Sequence, residues 1–160
     1  MALGRPPWLA YVVSGVVCAT VCAACGVGTV ELSPADDLPE DERELCDDLL
    51  AALPSQVLGD ERRDVTPYGA GAAWGDPPVT LRCGTTDAQG MSPAMQCQVI
   101  DDVGWYAEAL EGGYRFTTIG RETYVEVVVP DAEGSETAAG ALVDLAPAVR
   151  GTVPEVRPCV

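Results

Sequence analysis

The most conspicuous pattern along the chain is a long stretch without charge. From Pro6 to Val30 no position is ionisable at neutral pH except through a thiol or a phenol, with Arg5 before the run and Glu31 after it. As a helix, such a run crosses about 30 Å of hydrocarbon. The positive-inside rule then leaves Arg5 in the cytoplasm and carries the acidic remainder outside. Trp8 and Tyr11 fall where an interfacial aromatic belt belongs. Residues 1–30 are therefore expected to be a membrane or signal segment. Residues 31–42 are acidic and hold two prolines, which predicts a short exposed spacer.

Beyond the spacer, residues 43–160 show the periodicities of an extracytoplasmic folded domain. A helix is expected from Glu40 to Leu53, with Leu45, Leu49, Ala52 and Leu53 on one face, Cys46 beside that stripe and Pro54 as the stop. Val65 to Ala73 reads as a short strand broken at Pro67, and Trp74-Gly75-Asp76-Pro77-Pro78 as a turn. Val79 to Cys83 alternates with period two, which turns Val79, Leu81 and Cys83 to the interior. Cys97 to Ile100 and Trp105 to Ala107 extend the series. Tyr114 to Ile119 and Tyr124 to Val129 form the clearest hairpin. Gly134-Ser135 then caps a last helix whose apolar stripe is Ala138, Leu142, Leu145 and Val149, with Pro147 expected to kink or end it. The sum is an α+β fold: a small antiparallel sheet of four to five strands with two helices on one face.

The seven cysteines divide into two groups. Cys18, Cys22 and Cys25 lie in the uncharged run; Cys46, Cys83, Cys97 and Cys159 lie beyond it. Four thiols in an exported domain point to two disulfides, with three pairings open. Cys83–Cys97 is the favoured bridge because it closes a Gly- and Pro-containing loop, and it leaves Cys46–Cys159. A zinc site of four thiolates fits poorly, since spacings of 37, 14 and 62 residues contain no closely spaced pair. The N-terminal group bears on processing. Val21-Cys22-Ala23-Ala24-Cys25-Gly26 resembles a lipobox with Cys25 as the lipidated residue, except that Cys22 stands where Leu is usual. An uncleaved anchor, a lipoprotein and a secreted product cleaved after Ala23 all remain open.

Charge and missing residue types then narrow the chemistry. Against 25 acidic residues stand 9 basic ones, all Arg, for a net charge of −16. Such a surface repels phosphate backbones, which excludes nucleic acid as a partner. The chain has no His. Serine triads, Cys–His dyads and His-ligated zinc are thereby excluded. Without Lys there is no phosphate-binding P-loop, and the partial glycine motifs at Gly26–Gly28 and Gly69–Gly71 lack the strand–helix context of a dinucleotide site. No cofactor and no metal is expected; the pairs Asp36-Asp37, Asp47-Asp48 and Asp101-Asp102 read as a solvated acidic surface. The residues nominated for binding are Trp74, Asp76, Arg82 and Arg121, conditional on their lining one concave patch. Trp74, Trp105 and Tyr106 read first as core.

Three blocks carry a family resemblance. Ala73-Trp-Gly-Asp-Pro-Pro-Val-Thr-Leu-Arg-Cys-Gly84, Val103-Gly-Trp105 and Phe116-Thr-Thr-Ile-Gly-Arg121 resemble the actinobacterial envelope proteins of the domain of unknown function 3515 family. The resemblance spans roughly Cys46 to Val149. It implies a membrane-associated or exported protein and supplies no activity. The expectation is a non-enzymatic accessory domain on the outer face of a cell membrane, binding an envelope protein or wall component. The alternative is a carboxylate-based hydrolase of cell-wall glycans.

Overall fold

The computed structural model describes residues 1, 28–35, 37–85, 97–130 and 135–159. Most of the uncharged run, with Cys18, Cys22 and Cys25, lies outside them. Among the described residues no helix is long and apolar enough to cross a membrane.

The elements in chain order are β1 (Val30–Glu31), α1 (Glu40–Ala52), β2 (Gln56–Val57), β3 (Asp60–Arg63), β4 (Val65–Thr66), β5 (Ala72–Trp74), β6 (Val79–Cys83), β7 (Cys97–Ile100), β8 (Val103–Leu110), β9 (Gly113–Ile119), β10 (Val125–Pro130) and α2 (Ser135–Thr152). Eight strands form one antiparallel sheet in the order β2-β3-β5-β6-β10-β9-β8-β7, and β1 pairs with β4 in a separate parallel ribbon. The fold is α+β as expected, but the sheet is larger than the four or five strands expected. The additional strands are the ones hardest to read from periodicity. β2 and β3 hold few apolar residues, and β8 runs on through Glu108 to Leu110 into a second hairpin at Glu111-Gly112.

Alternation settles the two faces. Val79, Leu81 and Cys83 of β6 align with Val127 and Val125 of β10, and those with Phe116 and Thr118 of β9 and Trp105 of β8. These side chains, with Ala72 and Trp74 of β5, form the inner face, covered by both helices. α1 contributes Cys46 and Leu49, and the following Leu53 is buried too, while Ala52, assigned to the stripe from sequence, is exposed. α2 buries Ala138, Leu142, Leu145 and Val149 as expected. Pro147 neither ends nor breaks it; the helix continues to Thr152. The carbonyl that Pro147 leaves unbonded belongs to Val143 on the solvent side, where water can take its place.

The disulfides are Cys46–Cys83 and Cys97–Cys159, with Cα separations of 5.6 and 6.0 Å. The favoured Cys83–Cys97 bridge is therefore corrected. Cys83 points to the inner face, where α1 brings Cys46 against it, whereas Cys97 pairs in register with Tyr106 on the outer face and meets the C-terminal segment. A bridge between Cys83 and Cys97 would have to pass through the sheet. Gly104 lies beneath the outer bridge, and a Cβ there would sit 3.0–3.1 Å from the Cys159 Cβ and both sulfurs.

Residues 28–35, 37 and 38, part of which was expected to be a spacer, are mostly exposed yet fixed to the domain. Val30 N–H donates to the Asp64 carbonyl and Leu32 N–H to the Thr66 carbonyl, both at 2.9 Å. Arg63 donates to the Gly28 carbonyl, and Leu32 and Leu38 rest against Gly71 and Gly84.

Candidate functional site

The four nominated residues do not converge. Trp74 has 0% exposure and lies in the core, its indole N–H donating to the Pro54 carbonyl at 3.1 Å. Arg82 lies on the opposite face of the sheet. Asp76 is exposed in the β5–β6 turn, 3.8 Å from Arg63. Arg121 is 9% exposed and donates to the Val153 and Asp102 carbonyls, each at 2.8 Å, which holds the end of α2 to the β7–β8 turn. The condition attached to these residues, one exposed concave patch, is not met. Trp105 is core as expected, and Tyr106 is half-buried on the outer face.

Two other features stand out. On the outer face Glu126 is 5% exposed, although it is the only charged residue in β10. Its carboxylate lies 3.4 Å from Arg82 on one side and 3.4 Å from Arg115 on the other, and Arg115 also meets Glu108 at 3.7 Å. Four charges alternate in sign across four neighbouring strands, and each side chain is used by its neighbours. That arrangement holds a sheet face together.

The second feature is a groove between α1 and the β3–β5 segment. Its main cleft, of about 820 Å³, is lined among others by Asp47 and Leu50 of α1, Arg62 of β3, Asp64, and Tyr68. A smaller hollow of about 280 Å³ shares Asp47, Leu50, Tyr68 and Gly69 and continues to Pro34, Ala35, Asp37 and Leu38. Clefts of this volume are of the size that takes small-molecule ligands. Tyr68 stands fully exposed between the two. The loop that carries it is anchored on both sides, by Thr66 in β4 and by buried Ala70, whose N–H donates to the Pro67 carbonyl at 3.1 Å.

The arginines at the groove are engaged through their terminal nitrogens, while Arg63 Nε is buried without a partner. Arg62 stacks on Trp74, 5.9 Å from its ring centre, and donates to the Leu50 carbonyl at 3.3–3.4 Å. Arg63 donates to the Gly75 and Gly28 carbonyls, and Arg43 to Glu40 and the Leu38 carbonyl. Among the described residues the Asp47 and Asp64 carboxylates and the Tyr68 hydroxyl have no such partner, so the groove offers hydrogen-bond acceptors with an aromatic plate between its two hollows. Tyr68 was not singled out from sequence. Its signal is the turn context Pro67-Tyr68-Gly69, which places a large aromatic at the tip of a tight loop. Among the described residues no three His, Cys, Asp or Glu side chains cluster as a metal site requires.

The model of a family of proteins of unknown function, DUF3515, matches residues 8–158. The chain belongs to that family. The match covers nearly the whole DUF3515 protein, including the strands and both helices that build the groove. No curated protein and no solved structure matches the chain significantly.

Proposed function

We propose that this DUF3515 protein is an extracytoplasmic accessory domain, held at the outer face of a cell membrane by its N-terminal segment, that works by binding an envelope protein or wall component. The observation that carries the reading is the pair of disulfides stapling both faces of the sheet, in a chain whose first thirty residues carry a single charged side chain, Arg5. Structural disulfides persist in oxidising compartments, and an uncharged run of this length is an export or anchoring signal. Cys25 is the proposed lipidation site if the segment is processed as a lipoprotein. A preformed groove with unpaired acceptors supports binding. The glycan-hydrolase alternative needs no His, since such enzymes work through a pair of carboxylates, and it is separated from binding by assay.

Mass spectrometry of the protein purified from fractionated cells tests the location. The expected product comes from the membrane or exterior, starts at Cys25 with lipid or retains its anchor, and has Cys46, Cys83, Cys97 and Cys159 oxidised. Recovery from the cytosol with those four thiols free would sink the reading. Incubation with wall fragments tests the mode of action: turnover that Asp47→Ala abolishes, with folding retained, would replace binding by hydrolysis.

A further inference from the structure

From the chemistry of the Tyr68 groove, and building on the extracytoplasmic binding role, we infer that the groove is a binding site for a neutral oligosaccharide, with Tyr68 as the stacking plate and Asp47 and Asp64 as hydroxyl acceptors. Three properties lead there.

The first is the plate. Covering a large apolar side chain is favourable, and the ring of Tyr68 leaves that gain unrealised in the free protein. Tyr has only two side-chain torsions and its loop is pinned at both ends, so little freedom is lost when a ligand covers it. The second is the sense of the hydrogen bonds on offer. Arg43, Arg62 and Arg63 give terminal N–H groups to neighbouring carbonyls and Glu40, the buried Arg63 Nε is left over as a donor, and Asp47, Asp64 and the phenol oxygen remain to accept. The complementary ligand is rich in donors. Asp47 and Asp64 are balanced in the cleft lining by Arg62 and Arg63, which suits a neutral ligand, and the net charge of −16 on the whole chain disfavours an anion. The third is the floor. Leu50, Ala51 and Val65 line the cleft with apolar groups close to the acceptors.

A sugar ring presents a C–H face to a plate and hydroxyls around its edge, which matches all three properties. A cationic peptide matches only the carboxylates. With so many acids on the surface it would be attracted almost anywhere, and it would need neither the standing ring nor the concave floor. The two hollows on either side of Tyr68 suit a chain of several sugar units.

The test uses the full chain in detergent, titrated with chitotetraose, cellotetraose and maltotetraose by saturation-transfer NMR and calorimetry, with tetralysine as competitor. At least one saccharide should bind saturably with Kd of about 1 mM or tighter, and Tyr68→Ala should weaken it about tenfold or more. Tyr68→Phe keeps the plate and should bind within about threefold of the native protein. Because Tyr68 touches no core, the melting temperature of both variants should match the native one. The inference is overturned if none of the three saccharides binds, if Tyr68→Ala binds as well as native, or if tetralysine displaces the saccharide at equal concentration. A negative titration on protein already shown to be exported and disulfide-bonded removes the saccharide and leaves the location untouched.

Discussion

Glu126 shows how one residue depends on its partners. Removing a group from a buried ion pair costs about 3–5 kcal/mol when the partner is left uncompensated. Arg82 and Arg115 retain 22% and 36% side-chain exposure, so water relieves part of that cost. Glu126→Ala is expected to lower stability by about 2 kcal/mol, less than for a fully dry pair. Replacing the group together, as Arg82→Met, Arg115→Met and Glu126→Leu, should recover most of the loss, because nothing charged then remains unpaired. Denaturant titration reads both; a Glu126→Ala curve superimposed on the native one would refute the account. In sequence Glu126 looks like an outward residue of an alternating strand, which it is. Its burial comes from Arg82 and Arg115 on the flanking strands, and no local pattern records that.

At the scale of elements, the N-terminal strap is the least anticipated feature. Acidic and proline-rich, residues 31–42 have the composition of a free linker. Two leucines alter the outcome. Leu32 lies against Gly71 and Leu38 against Gly84, where a Cβ would strike the Leu38 side chain and where φ of +71° suits glycine. With β1 paired to β4, the strap walls one end of the groove and holds the point where the chain enters the domain. Leu38→Asp should free it, accelerating cleavage after Glu31 by a glutamyl endopeptidase about tenfold while the circular dichroism of the domain stays unchanged. Equal cleavage rates would show that the strap is not held by that contact. The helices, by contrast, were legible. α1 has an acidic first turn that suits the positive end of its dipole, and Pro54 imposes its stop. The α2 stripe repeats at helical spacing and is fully buried.

For the whole molecule, the disulfides decide how much of the fold survives stress. Each closes a long loop, 37 and 62 residues apart in sequence, for which chain entropy gives about 4 kcal/mol per bridge. Non-reducing peptide mapping should recover Cys46 joined to Cys83 and Cys97 joined to Cys159; a Cys83–Cys97 peptide would contradict the placement of these residues on opposite faces. Reduction should shift the unfolding midpoint strongly downward, and Cys46→Ala with Cys83→Ala should reproduce about half of that shift.

The sequence by itself determined what depends on near neighbours: the two helices and their buried stripes, the inward set Val79, Leu81 and Cys83, the hairpin of β9 and β10, and the exclusion of His- and Lys-dependent chemistry. Periodicities of 3.6 and 2 are local, and so is a missing residue type. Only the tertiary structure decided the order of eight strands, the cysteine partners, the burial of Glu126 and the groove at Tyr68. Each of these is a meeting between segments tens of residues apart. It is set by which faces pack and by how the chain returns, and neither leaves a mark at the positions that meet.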